Sequence, residues 1–143
     1  MALYCDDNLG ECSPNVYIGD ILAAQDTDRL AHLGIRYVVD MANMPDEHPK
    51  PAGETSPVYL VEMPDPQSDG VISKLMVRID DVEGADLASL FRPICEYIRT
   101  CSADAGVLVH CFEGKSRSVA AAVAFLMMVP PHNQISIAQH EVV

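Results

Sequence analysis

The chain has no tryptophan, and only nine lysines and arginines stand against 21 aspartates and glutamates in its 143 residues. At a formal charge of −12, a polyanion offers no counterion-release attraction unless the few cations gather in one place, so general nucleic-acid binding is excluded. The same charge disfavours anionic membranes. Long apolar runs are missing too. The longest, Val119–Val129, has 11 residues, short of the roughly 18 that suggest a membrane span. The first seven residues carry neither a basic stretch nor an apolar one, and no secretory leader is expected. The five cysteines (Cys5, Cys12, Cys95, Cys101 and Cys111) are odd in number and contain no CxxC pair. Neither a disulfide framework nor a zinc site fits that pattern. A reduced compartment, cytoplasmic or nuclear, is expected, with no metal and no cofactor.

Apolar residues make up 49% of the chain and charged residues 21%, too apolar for global disorder and enough for one core. A single domain over residues 1–143 is expected. Asn15–Gly19 reads as a short strand, Asp26–Leu33 as a helix closed by Gly34, and Ile35–Met41 as a buried strand. Residues 45–70 hold six of the ten prolines and six acidic residues, with Lys50 as the one cation. This stretch reads as an irregular surface insertion containing a short edge strand at Val58–Val61. Lys74–Ile79 is the next strand. Leu87, Leu90, Phe91, Ile94 and Ile98 then follow at helical spacing, with Asp86 placed to cap the helix. Val107–Val109 is a strongly apolar strand. Ser118–Met128 is apolar almost all round and reads as a buried central helix, stopped by Pro130-Pro131. Strands alternating with helices imply an α/β fold with a central, largely parallel sheet flanked by helices.

The most specific segment is Val107-Leu-Val-His-Cys-Phe-Glu-Gly-Lys-Ser-Arg-Ser118. A buried strand delivers Cys111 to the sheet edge, Gly114 lets the backbone curl, and a helix begins at Arg117. Such a turn aims several backbone N–H groups at one point, and the helix N-terminus adds partial positive charge. A thiol at the centre of that cradle is expected to be a thiolate near neutral pH, with a pKa of about 3.5–7.5. Arg117 can offer a planar fork to two oxygens of a phosphate. Ser118 can hydrogen-bond the sulfur and make it a better leaving group. The arrangement pairs a nucleophile with an anion clamp.

The pattern His110-Cys111-x5-Arg117-Ser118 matches the signature of the protein tyrosine phosphatase superfamily, and the wording of the loop resembles its dual-specificity branch. Upstream, Asn15-Val-Tyr-Ile-Gly resembles the opening "LYLG" strand and Leu33-Gly-Ile-Arg-Tyr-Val-Val-Asp resembles "LGITHVLNV". Ile79-Asp-Asp-Val-Glu-Gly-Ala-Asp-Leu87 resembles the acid-loop segment. The resemblance covers about residues 14–128. It implies two-step phosphoryl transfer: Cys111 attacks phosphorus, and Asp81, rather than its neighbour Asp80, protonates the leaving oxygen and then activates water. Phe112, Glu113, Gly114, Lys115, Ser116 and Arg117 would bind the phosphate, with His110 as structural support behind the loop and no metal needed. Cys95 and Cys101 read as core or helix-end thiols, with a resolving disulfide to Cys111 as a minor alternative.

The implied substrates are phosphoproteins, with phosphotyrosine and phosphoserine/threonine both accepted in a shallow cleft. A MAP kinase is among the candidates, although no basic docking cluster is visible. Lys115 keeps a phosphoinositide or other non-protein phosphate as the alternative, and Phe112 stands where lipid-phosphatase relatives have a second basic residue. A non-catalytic phosphate reader and a sulfur-transfer enzyme are further alternatives. Residues 129–143 do not resemble the helices with which family members usually continue. A divergent or shortened C-terminus is therefore expected, with the outer face of the central helix short of a partner.

Overall fold

The apolar stretches form a six-stranded sheet in a computed structural model that describes residues 8–42, 51–68, 70–78, 87–112 and 117–128. The strands are β1 (Leu9–Ser13), β2 (Val16–Gly19), β3 (Ile35–Asp40), β4 (Val58–Pro64), β5 (Val71–Val77) and β6 (Gly106–His110), in the spatial order β1-β2-β6-β3-β5-β4. The β2–β6, β6–β3 and β3–β5 pairs are parallel, and β1–β2 and β4–β5 are antiparallel. The sheet is thus parallel at its centre and antiparallel at both edges.

Helices cover both faces: α1 (Ile21–Gln25), α2 (Thr27–His32), α3 (Leu87–Ser102) and α4 (Arg117–Met128). Because side chains alternate along a strand, β6 serves two cores at once. Val107 and Val109 pack with Ile94, Ile98, Ala121, Ala122 and Phe125 of α3 and α4. Leu108 turns to the other face and packs with Ala23, Leu30 and Ile35 against α1 and α2. All five β6 residues are buried, as the continuous apolar run requires of a central parallel strand. Full burial of each such aliphatic side chain contributes roughly 1.5–3 kcal/mol.

Several expectations change in detail. The short edge strand expected at Val58–Val61 runs three residues further, to Pro64, and pairs with β5 along its whole length. Pro64 is tolerated because an edge strand can dispense with one ladder donor. The expected Lys74–Ile79 strand begins three residues earlier and is described to Val77. Strand β1 and helix α1 were not foreseen. Each is five residues long, and neither has the alternating β-formers that mark the even shorter β2. The α2 expectation is met: the Asp26 carboxylate accepts from Arg29 N at 3.3 Å, and Gly34 follows at φ +74°, the left-handed position a helix-ending glycine supplies. Helix α4 is not buried all round. Ser118, Ala121, Ala122 and Phe125 face the core, whereas Met127 is 79% exposed and Met128 49%. Among the described residues, no helix is long and apolar enough to cross a membrane. Cys5, the Asp86 cap and residues 129–143 lie outside the described residues.

Candidate active site

The connection from β2 to β3 passes over β6 through α1 and α2 on one face, whereas α3 returns from β5 to β6 on the other. The chain direction across the sheet therefore reverses around β6. In open α/β sheets the crevice beyond the C-terminal strand ends at such a reversal is the recurrent ligand site. Cys111 is the first residue past that end.

Backbone bonds pin the loop entry on two sides. Met41 N donates to His110 O at 2.8 Å, and Ile21 N, at the start of α1, donates to Phe112 O at 3.2 Å. Asp20 holds that helix start: its Oδ1 accepts from Ala23 N at 2.9 Å and from Asn8 Nδ2 at 3.0 Å. Cys111 itself is buried at 4% exposure, with its Sγ 3.3 Å from Oγ of the fully buried Ser118. That contact joins the strand end to the first turn of α4 and is within range of a hydrogen bond to sulfur. Arg117 opens α4 and is partly buried. Phe112 is 57% exposed, so its ring lies at the surface beside the buried thiol. Of the expected phosphate-binding set, Glu113, Gly114, Lys115 and Ser116 lie outside the described residues, as do Asp80 and Asp81. The strand leading toward the acid segment is anchored at its end: Arg78 Nε donates to Tyr59 Oη at 2.9 Å, and Arg78 N to Pro57 O at 2.8 Å.

Cys12, Cys95 and Cys101 are free, buried thiols. Burial pushes Cys12 up to about 11 and also raises Cys95 and Cys101. The expectation of core and helix-end thiols for Cys95 and Cys101 agrees with their burial in α3.

His110, the last residue of β6 and the one before Cys111, is buried at 2% exposure. Sequence reasoning missed its neighbour. Asp40 and His110 are register partners on adjacent parallel strands, and Asp40 Oδ2 lies 3.6 Å from His110 Nε2. That separation is longer than a hydrogen bond. Burial alone would raise the Asp40 carboxyl. The His110 ring, the Ala42 N–H (3.0 Å to Oδ1) and the charge of Lys74 outweigh it and hold Asp40 below the usual carboxylate range. The available signal was an acid ending an otherwise apolar strand, at the place where the family wording has asparagine.

The family model "Dual specificity phosphatase, catalytic domain" matches residues 16–135. Among curated proteins, the chain is 33% identical over 127 residues to mouse dual specificity protein phosphatase 13B, a match covering 85% of this chain and 56% of that protein. It is 31% identical over 126 residues to dual specificity protein phosphatase 1 of Arabidopsis thaliana, covering 87% and 54%. The chain thus spans about half the length of these relatives. Among solved structures, human DUSP28 is similar with a TM-score of 0.64 and 25% identity, covering 87% of this chain and 72% of that one. DUSP15 shares the fold at a TM-score of 0.66 and 22% identity, covering 86% and 67%.

Proposed function

The chain belongs to the dual specificity phosphatase catalytic-domain family, and from that premise we propose that it hydrolyses phosphotyrosine and phosphoserine/threonine in proteins through a cysteinyl-phosphate. The carrying observation is the buried Cys111 Sγ held 3.3 Å from Ser118 Oγ at the C-terminal end of the central strand.

In this reading the Cys111 thiolate attacks phosphorus, a P–S bond forms and the ester P–O bond breaks. The leaving oxygen takes a proton from Asp81. Arg117 and the backbone N–H groups of residues 112–117 carry the charge on the equatorial oxygens, which is where electrostatic preorganisation acts. Water then attacks phosphorus and gives a proton to the Asp81 carboxylate. The P–S bond breaks, and inorganic phosphate leaves. Ser118 Oγ–H donates to the departing sulfur and lowers the barrier of this second step. Phosphoproteins, a MAP kinase among them, are the proposed substrates, in a cytoplasmic or nuclear setting.

The test is hydrolysis of p-nitrophenyl phosphate and of a phosphopeptide panel by the wild type, Cys111→Ser and Asp81→Asn. The expected result is no turnover in Cys111→Ser with retained phosphopeptide binding, and a reduced rate in Asp81→Asn that has lost its dependence on an acid at higher pH. Equal activity in the wild type and Cys111→Ser would overturn the mechanism. Preference for soluble inositol phosphates over every phosphopeptide would replace the protein substrate by a non-protein phosphate.

A further inference from the structure

Few large apolar side chains are exposed among the described residues, and they fall in three places. Leu60 and Val71 lie on the β4–β5 hairpin, and Met127 and Met128 end α4. Exposed apolar residues scattered in this way are ordinary. The third place differs because it adjoins the nucleophile. Phe112, 57% exposed, is the residue after Cys111, and Leu22, 64% exposed, is the second residue of α1. The Ile21 N–H donates to Phe112 O at 3.2 Å, so the residue before Leu22 is bonded to Phe112 itself.

The helix that carries Leu22 is held firmly. Asp20 N donates to Asn8 O at 3.2 Å and Ala24 N to Asp20 O at 3.1 Å, and Asp20 Oδ1 accepts from Ala23 N at 2.9 Å. Ala23 is fully buried and packs with Leu9, Leu30, Ile35 and Leu108. A Cβ on Gly19 would come within 3.0 Å of Ala23 Cβ, so α1 lies close on the sheet. With Ala23 in the core, its neighbour Leu22 is turned roughly 100° around the helix and kept in solvent at a fixed place. Charge also sets this rim apart. Helix α1, Ile-Leu-Ala-Ala-Gln, has no charged side chain, in a chain of formal charge −12. The acid before it, Asp20, is engaged by Ala23 N and Asn8 Nδ2. Contact surfaces are depleted in charge and enriched in aromatic rings at their centres, and the net charge repels acidic ligands.

We propose that Leu22 and Phe112 form a subsite for an apolar side chain next to the phosphoresidue of a protein substrate. They select phosphopeptides with leucine in that place over acidic ones. The subsite rests on the phosphatase reading above and narrows its substrate class. Leu22 meets the flanking residue and not the reacting atoms. Its removal therefore changes the ranking of peptides and leaves untouched the hydrolysis of an ester that has no flanking residues.

The test uses phosphotyrosine peptides that differ at one position, taken in turn from two before the phosphoresidue to two after it, and carrying Leu, Ala, Asp or Lys there. The wild type is compared by kcat/KM with Leu22→Gln, which keeps a helix-forming residue, and p-nitrophenyl phosphate serves as the ester without flanks. At one position or more, Leu should exceed Ala by about tenfold, the low end of what an apolar contact discriminates, and exceed Asp by more. Leu22→Gln should bring Leu level with Ala there and leave p-nitrophenyl phosphate turnover unchanged. Equal rates for Leu and Ala at every position, fastest turnover with Lys, or a full Leu preference in Leu22→Gln would overturn the proposal. Binding of the same peptides to Cys111→Ser, by fluorescence anisotropy, separates the subsite from the chemistry. If the wild type hydrolyses nothing while Cys111→Ser binds Leu peptides preferentially and Leu22→Gln removes that preference, the subsite stands and the phosphatase reading falls. Hydrolysis without the preference does the reverse. Neither hydrolysis nor preference overturns both.

Discussion

Replacing Ser118 by alanine removes one oxygen atom from a site where little else can change. The side chain is fully buried, and its hydroxyl lies 3.3 Å from Cys111 Sγ. A hydrogen bond to a charged partner contributes about 1.5–3 kcal/mol, and each 1.36 kcal/mol is a factor of ten in rate. If that bond stabilises the sulfur as it leaves phosphorus, Ser118→Ala slows breakdown of the cysteinyl-phosphate by roughly ten- to 150-fold. Attack by the thiolate changes less, so kcat should fall together with KM while kcat/KM falls by a smaller factor. Rapid-quench or stopped-flow measurement with p-nitrophenyl phosphate is the direct assay. The variant should release a burst of nitrophenol approaching one equivalent per site before a slow steady state. An unchanged kcat with no burst would show that Ser118 is an ordinary buried helix-start residue. A loss confined to kcat/KM would instead assign the hydroxyl to thiolate formation.

Two further perturbations test the scaffold. Gly34 and Gly106 adjoin in space but should fail for different reasons. A Cβ at Gly34 meets nothing within 4 Å, so Gly34→Ala costs only the left-handed backbone, about 1–2 kcal/mol, and Gly34→Asn should recover part of it in urea unfolding. A Cβ at Gly106 would lie 2.9 Å from Ile35 Cγ1 and 3.0 Å from Ile35 Cα, so Gly106→Ala should cost about 1–3 kcal/mol through overpacking. Recovery of the Gly106 variant by asparagine would contradict that account. The Asp40 carboxyl, lowered on folding, stabilises the native state above its unfolded value of about 3.9, and that contribution is lost as pH falls through the lower folded value. Asp40→Asn should therefore flatten the decline of unfolding free energy below about pH 4, and an unaltered slope would refute the assignment.

The central strand and the helix after it were legible because their apolar residues are concentrated and their ends are marked. The β6 run, the α3 spacing and the Gly34 stop each depend on local periodicity or backbone freedom. The short elements β1 and α1 were not legible, since they lack the alternating β-formers that mark the even shorter β2. The extension of β4 was hidden for another reason. Met63 and Pro64 become strand only because β5 supplies pairing partners along its length.

The site divides in the same way. The order His110-Cys111-x5-Arg117-Ser118 is a local fact, and by itself it suggested a nucleophile, a clamp and a hydroxyl close together along the chain. The partner of His110 is not local. Asp40 lies seventy positions away in the chain and meets the ring only because β3 and β6 pair in one register. A shift of one residue would turn either side chain to the opposite face. The sequence alone therefore determined which candidate groups lie close to one another along the chain, since that spacing is covalently set. Tertiary structure decided which buried charge stands behind them, since strand register is set by the packing of the whole sheet.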